Sequence, residues 1–177
     1  MLTSGDTLLL YGYGNPGRGD DGLGPIFASR FLERRPRGVT VDSNYQLELE
    51  DAATLAEFDT AIFVDADRSG PEPFWFDRVR PTSRVGWTSH GMTAEALVFL
   101  TEELFGKKVE AYTLGIRGYE FDELKEDLTE PARKNLEMAL EFSTRALEEQ
   151  QFEAYVERYG LWPRGPNRGQ ITRGYPQ

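Results

Sequence analysis

The chain contains no cysteine among its 177 residues. That removes disulfides, thiolate nucleophiles, iron–sulfur clusters and cysteine-ligated zinc from consideration together. Histidine occurs once, at position 90, so any imidazole chemistry belongs to His90. Basic residues are the minority charge, 20 Lys and Arg against 30 Asp and Glu, for a net charge of −10. A nucleic-acid or anionic-membrane partner calls for a basic surface, so neither is expected. No apolar run is long enough to cross a bilayer, and Met1–Asp6 carries no basic n-region of a signal peptide. A cytoplasmic protein is therefore expected.

The residues present are those of a folding domain. A hydrophobic content of 39% in regular runs suffices for one core in a chain of this length. Strands are predicted at Thr7–Tyr13, Val39–Val41, Thr60–Val64, Phe74–Val79 and Val109–Ile116. Helices are predicted at Leu23–Arg34, Gln46–Glu57, Thr93–Leu104 and Thr129–Gln150. Leu23, Phe27 and Phe31 recur at i, i+4, i+8, and Leu97, Leu100 and Leu104 are expected to point inward. Thr129 is a candidate cap, with Pro131 in the first turn behind it. The alternation predicts a three-layer α/β/α fold around a twisted, mostly parallel five-stranded sheet. Residues 1–150 form the predicted domain. Residues 151–177, rich in Pro, Gly and Arg, are expected to be extended or disordered, with Phe152, Tyr155, Tyr159 and Trp162 as anchors if they lie over the domain.

The most informative run is Gly12-Tyr13-Gly14-Asn15-Pro16-Gly17-Arg18-Gly19-Asp20-Asp21-Gly22-Leu23-Gly24, between the first strand and first helix. A glycine-rich turn there usually cradles phosphate with backbone N–H groups. Here two carboxylates occupy the anion's place, which suits a cation. One of the pair is expected to cap the helix. Gly12–Gly17 also matches G-x-G-x-x-G, with Asp42 where a ribose-binding acid would sit, so a dinucleotide-binding enzyme is an alternative. Against it, Pro16 lacks an N–H, and two acids would repel a pyrophosphate.

In parallel sheets, sites form beyond the carboxyl ends of the strands. Asp20, Asp21, Asp42 and Asp65 each follow a predicted strand and are expected to gather there, while Asp67 is expected in a solvated loop. Asp21, Asp65 and His90 together make two carboxylates and an imidazole, a set that suits nickel or zinc with open positions.

Four ordered blocks resemble the hydrogenase maturation endopeptidase family: Gly12–Gly24, Phe63-Val64-Asp65-Ala66, Thr88-Ser89-His90, and Leu114-Gly115-Ile116-Arg117-Gly118-Tyr119. The resemblance spans about Thr7 to Leu147. It implies an endopeptidase that removes the C-terminal extension of a nickel–iron hydrogenase large-subunit precursor after nickel insertion. It implies Asp21, Asp65 and His90 as metal-contacting and catalytic residues, with nickel supplied by the substrate and no organic cofactor. Asp20, Asp42 and Asn15 are candidate supporting residues. Two departures stand out: Asp21 where the family often has Glu, and Asp42-Ser43-Asn44-Tyr45 where many members have Asp-Gly-Gly-Thr. A maturation chaperone that keeps the fold without cutting is the second alternative.

Overall fold

The computed structural model describes residues 7–83, 91–121 and 125–161. Five strands, β1 (Leu8–Tyr13), β2 (Val39–Asn44), β3 (Thr60–Asp67), β4 (Phe74–Arg78) and β5 (Glu110–Arg117), form one sheet in the order β2-β1-β3-β5-β4. All neighbours pair in parallel except β4 and β5, which are antiparallel. The helices are α1 (Leu23–Glu33), α2 (Asp51–Leu55), α3 (Ala94–Phe105), α4 (Glu130–Glu149) and α5 (Phe152–Tyr159). The expected three-layer α/β/α architecture is observed.

Strand alternation sends side chains to two separate cores. Leu8 and Leu10 of β1, Ile62 and Val64 of β3 and Leu114 and Ile116 of β5 pack under α1, α4 and α5. Leu9, Tyr11, Ala61, Phe63 and Ala111 pack under α2 and α3 on the other face. The central strands are buried on both faces, which is why they appear in the sequence as continuous apolar runs.

Helix α1 presents Leu23, Phe27 and Phe31 to the first core, all at most 2% exposed. Helix α4 begins at Thr129, whose Oγ1 accepts the Ala132 N–H at 3.3 Å, and buries Ala132, Leu136, Ala139 and Leu140. Two expectations are corrected among the helices. The helix expected over 46–57 spans only Asp51–Leu55, because Leu47 is drawn into an antiparallel bridge with Met92 and buried. In α3 the inward face is Ala94, Leu97, Val98 and Thr101, with Leu100 partly buried against the same core, whereas Leu104 is 60% exposed.

Residues 152–159, expected to be extended or disordered with the rest of 151–177, form α5. Phe152 and Tyr155 are buried, and Phe152 packs on Phe76 and Tyr112 of the sheet. Their spacing puts the aromatics on one helical face, and that burial outweighs the loop-like composition downstream. Trp162 lies outside the described residues.

Candidate functional site

The turn after β1 is built by close approach of backbone. A Cβ on Gly24 would stand 2.2 Å from the Tyr13 carbonyl oxygen and 2.6 Å from that of Val64. Only glycine lets the start of α1 sit this tightly on the carboxyl ends of β1 and β3. Gly14 has φ +137°, and a Cβ there would meet the Asp21 carbonyl oxygen at 2.0 Å. These contacts fold the loop over the sheet edge and bring Asp21 above it.

The loop's N–H groups are already occupied. Gly14 donates to the Asn44 carbonyl (3.2 Å), Arg18 to Asn15 (3.1 Å), Gly19 to Lys125 (2.6 Å) and Asp20 to Glu120 (2.8 Å). Gly17 donates to Asn15 Oδ1 at 2.9 Å and Asn15 to Asp21 Oδ2 at 3.2 Å. A phosphate cradle needs these donors free, so the geometry does not favour a dinucleotide site.

The two adjacent acids do different things. Asp20 is 0% exposed and accepts four hydrogen bonds: Tyr119 N–H (2.8 Å), Glu120 N–H (3.1 Å), Thr129 N–H (2.7 Å) and Thr129 Oγ1–H (2.8 Å). It joins the loop to residues 119–120 and to the cap of α4, which saturates its acceptor sites. Asp20 therefore belongs to the architecture, and it does not cap α1. Gly22 occupies that cap position, with no side-chain bond there from either acid. Asp21 turns the other way, toward Asn15 N–H. Asn15 thus supports Asp21 with its backbone and the turn with its side chain.

Asp65 lies within β3, because pairing with β5 carries the strand through Asp67. It shares the Phe63 face, and its Oδ1 accepts the Ala66 N–H at 2.7 Å. Desolvation by burial is the main force on its carboxyl, raising the pKa to about 7; the nearby Asp21 carboxylate raises it further, while the Ala66 N–H and a hydrogen bond from the Tyr13 side chain oppose the rise. Asp65 is thus a half-buried carboxyl within the field of a second one, Asp21.

Two other acids are placed elsewhere. Asp42 is within β2 and exposed, its Oδ1 accepting Ser43 N–H at 2.7 Å. Asp67, expected in a solvated loop, instead accepts from Trp75 Nε1 (2.6 Å), Ser69 N–H (2.8 Å) and Gly70 N–H (2.9 Å). These bonds hold its carboxyl below the usual range against the desolvation that opposes them. His90 lies outside the described residues. Its neighbour Gly91, with φ +94°, packs against Gln46, two residues beyond the Asn44 carbonyl that receives Gly14 N–H. Among the described residues no group of three acids could by itself hold a metal ion.

No protein-family model matches the sequence, and no curated protein matches it. Solved structures do match. The NiFe hydrogenase maturation protease HycI of Thermococcus kodakarensis superposes with a TM-score of 0.66 at 20% identity, covering 82% of this chain and 95% of that one. The chain has the fold of the hydrogenase maturation proteases. The maturating endopeptidase HybD of E. coli aligns with a TM-score of 0.59 at 19% identity, over 82% of this chain and 94% of its own. The endopeptidase HycI of E. coli gives 0.60 at 23%, over 82% and 91%. The maturation-protease fold thus accounts for most of the chain. Among the described residues no helix is long and apolar enough to cross a membrane.

Proposed function

We propose that this chain is an endopeptidase that removes the C-terminal extension of a nickel–iron hydrogenase large-subunit precursor once nickel has been inserted. The observation that carries the proposal is the pair Asp21 and Asp65, at the carboxyl edge of a maturation-protease fold, with the Asp65 pKa raised chiefly by desolvation and further by the Asp21 charge. Two carboxylates in that arrangement gain most from a bound cation, which removes the Asp65 proton and neutralises their repulsion.

In this reading the nickel arrives as part of the substrate. Asp21, Asp65 and His90 complete its coordination, a mixed oxygen and nitrogen set suited to a borderline divalent ion. Nickel so held polarises the scissile carbonyl or acidifies a bound water. Asn15 N–H fixes the Asp21 carboxylate, and Tyr13 and Ala66 N–H orient Asp65. This gives selectivity for the mature metal centre, because a nickel-free precursor offers the three side chains nothing to grip. The reaction needs no organic cofactor, and the cytoplasm is where such a precursor would be met.

The test is to incubate the chain with nickel-loaded and nickel-free precursor and monitor the released C-terminal peptide by mass spectrometry. Release from the loaded form alone supports the reading. Binding without release would favour the chaperone alternative.

A further inference from the structure

The two edges of the sheet differ. The β4 edge is covered: Arg78 Nε donates to Glu153 of α5 at 2.9 Å, and Leu161 N–H donates to Asp77 Oδ2 at 3.0 Å. The β2 edge is open. Among the described residues β2 pairs with β1 alone, residue for residue from Leu8↔Val39 to Tyr13↔Asn44. Its sequence, Val-Thr-Val-Asp-Ser-Asn, has no proline or lysine and the unbroken register leaves no bulge; its single charge is Asp42, whose Oδ1 takes the Ser43 N–H at 2.7 Å and leaves the rest of the strand without such protection. Proline, charges and bulges are the devices that usually protect an edge from another strand.

The ends of β2 are also distinct. Its carboxyl end adjoins the candidate site: the Asn44 carbonyl accepts Gly14 N–H, and the next residue, Asn15, donates to the Asp21 carboxylate. Its amino end is preceded by Arg35 and Arg37, both exposed and in no ion pair with another described residue.

We infer that the outer edge of β2 receives the substrate's C-terminal extension as an added antiparallel strand, with its terminal carboxylate meeting Arg35 and Arg37. The inference rests on the proteolytic reading above and deepens it. The polarity comes from the chemistry. The extension lies on the carboxyl side of the scissile bond, so it leaves the Asp21–Asp65 site past Asn44 and runs back toward Val39. Six strand residues at about 3.3 Å each span roughly 20 Å, so an extension of about six residues brings its terminal carboxylate to the amino end of β2. Backbone pairing of this kind grips an extended chain with little demand on its side chains. The two guanidiniums recognise what every such extension carries, a free carboxylate at its end.

Two measurements test this on the full chain. The probe for the first is a synthetic peptide comprising the scissile residues and complete extension of the large-subunit precursor from the same organism. Hydrogen-exchange mass spectrometry of the Asp65→Asn chain with this peptide should show protection at residues 39–44. The second measurement is cleavage of nickel-loaded precursor by the Arg35→Gln/Arg37→Gln variant. Its KM should rise about tenfold, the loss of one charge-assisted recognition, with kcat unchanged. Amidating the peptide's C-terminus should weaken binding to the parent by a similar factor and leave the double variant unaffected. Unprotected β2 amides, or an unchanged KM with normal cleavage, would overturn the inference while leaving the proteolytic reading intact. Protection at 39–44 without peptide, accompanied by a dimeric mass, would assign the edge to a second copy and also overturn it. If the parent chain cuts no precursor, the proteolytic reading fails and this inference fails with it.

Discussion

The Asp20 carboxylate takes both hydrogen bonds that Thr129 can offer it, from the backbone N–H at 2.7 Å and from the hydroxyl at 2.8 Å, across 109 residues of sequence. The same hydroxyl accepts the Ala132 N–H, so the buried acid fixes the α4 cap and the site loop together. Replacing Asp20 with Ala orphans four donors. The expected cost is about 3–5 kcal/mol, the usual penalty when one partner of a buried charged network is removed. Asp21→Asn, at a partly exposed position, should cost under about 1 kcal/mol. Urea denaturation of the two variants measures the contrast, and equal destabilisation would show that the roles of the two acids are not separated in this way.

Asp65 gives a pH prediction. A carboxyl whose pKa is raised to about 7 binds its proton more tightly folded than unfolded. Folding stability therefore falls as pH rises from about 4 through 7. Asp65→Asn removes that ionisation and keeps an acceptor for Ala66 N–H. The variant should match the parent below pH 4 and exceed it by about 1–2 kcal/mol at pH 8, allowing for residual solvent screening of the partly exposed carboxyl. Denaturation midpoints across pH are the measurement. A parent more stable than the variant at pH 8 would contradict it.

Helix α5 should carry stability. Truncation after Gln150 removes Phe152 and Tyr155 from the core, together with the Glu153 bonds to Arg78. The loss is expected at about 3–5 kcal/mol, comparable to deleting a large buried aromatic. Truncation after Leu161 keeps α5 and is the reference against which that loss is read. Chemical denaturation of the two truncations separates the contribution of α5 from that of residues 162–177.

Gly24 sets how closely α1 meets the sheet. A methyl there would stand 2.2 Å from the Tyr13 carbonyl, against backbone that cannot rotate away. Gly24→Ala should destabilise by about 2 kcal/mol or more, as overpacking does. It should also lower processing, because the helix start carries the Asp21 loop. Thermal unfolding together with a precursor-cleavage assay reads both effects.

The layered fold is legible where spacing is local. Leu23, Phe27 and Phe31 announce their helix face, and the apolar run at Thr60–Val64 announces a strand buried on both sides. Features decided by pairing at a distance are hidden. Leu47 leaves a helical pattern for a bridge to Met92, and β3 extends to Asp67 because β5 runs beside it. Asp20 reads as half of a cation-binding pair, but its partners lie at 119–120 and 129, and no local signal names them. The aromatic spacing of Phe152, Tyr155 and Tyr159 is present in the sequence, masked by averaging its composition with the Pro- and Gly-rich residues beyond. Asp21 and Asp65, expected after β1 and after β3, lie near enough for the Asp21 charge to raise the Asp65 pKa.

The most direct test of the central claim is processing of nickel-loaded precursor by Asp21→Asn, Asp65→Asn and His90→Ala, each first shown to be folded. All three should release no C-terminal peptide while the parent chain releases it in full. Normal release by these folded variants would contradict the account.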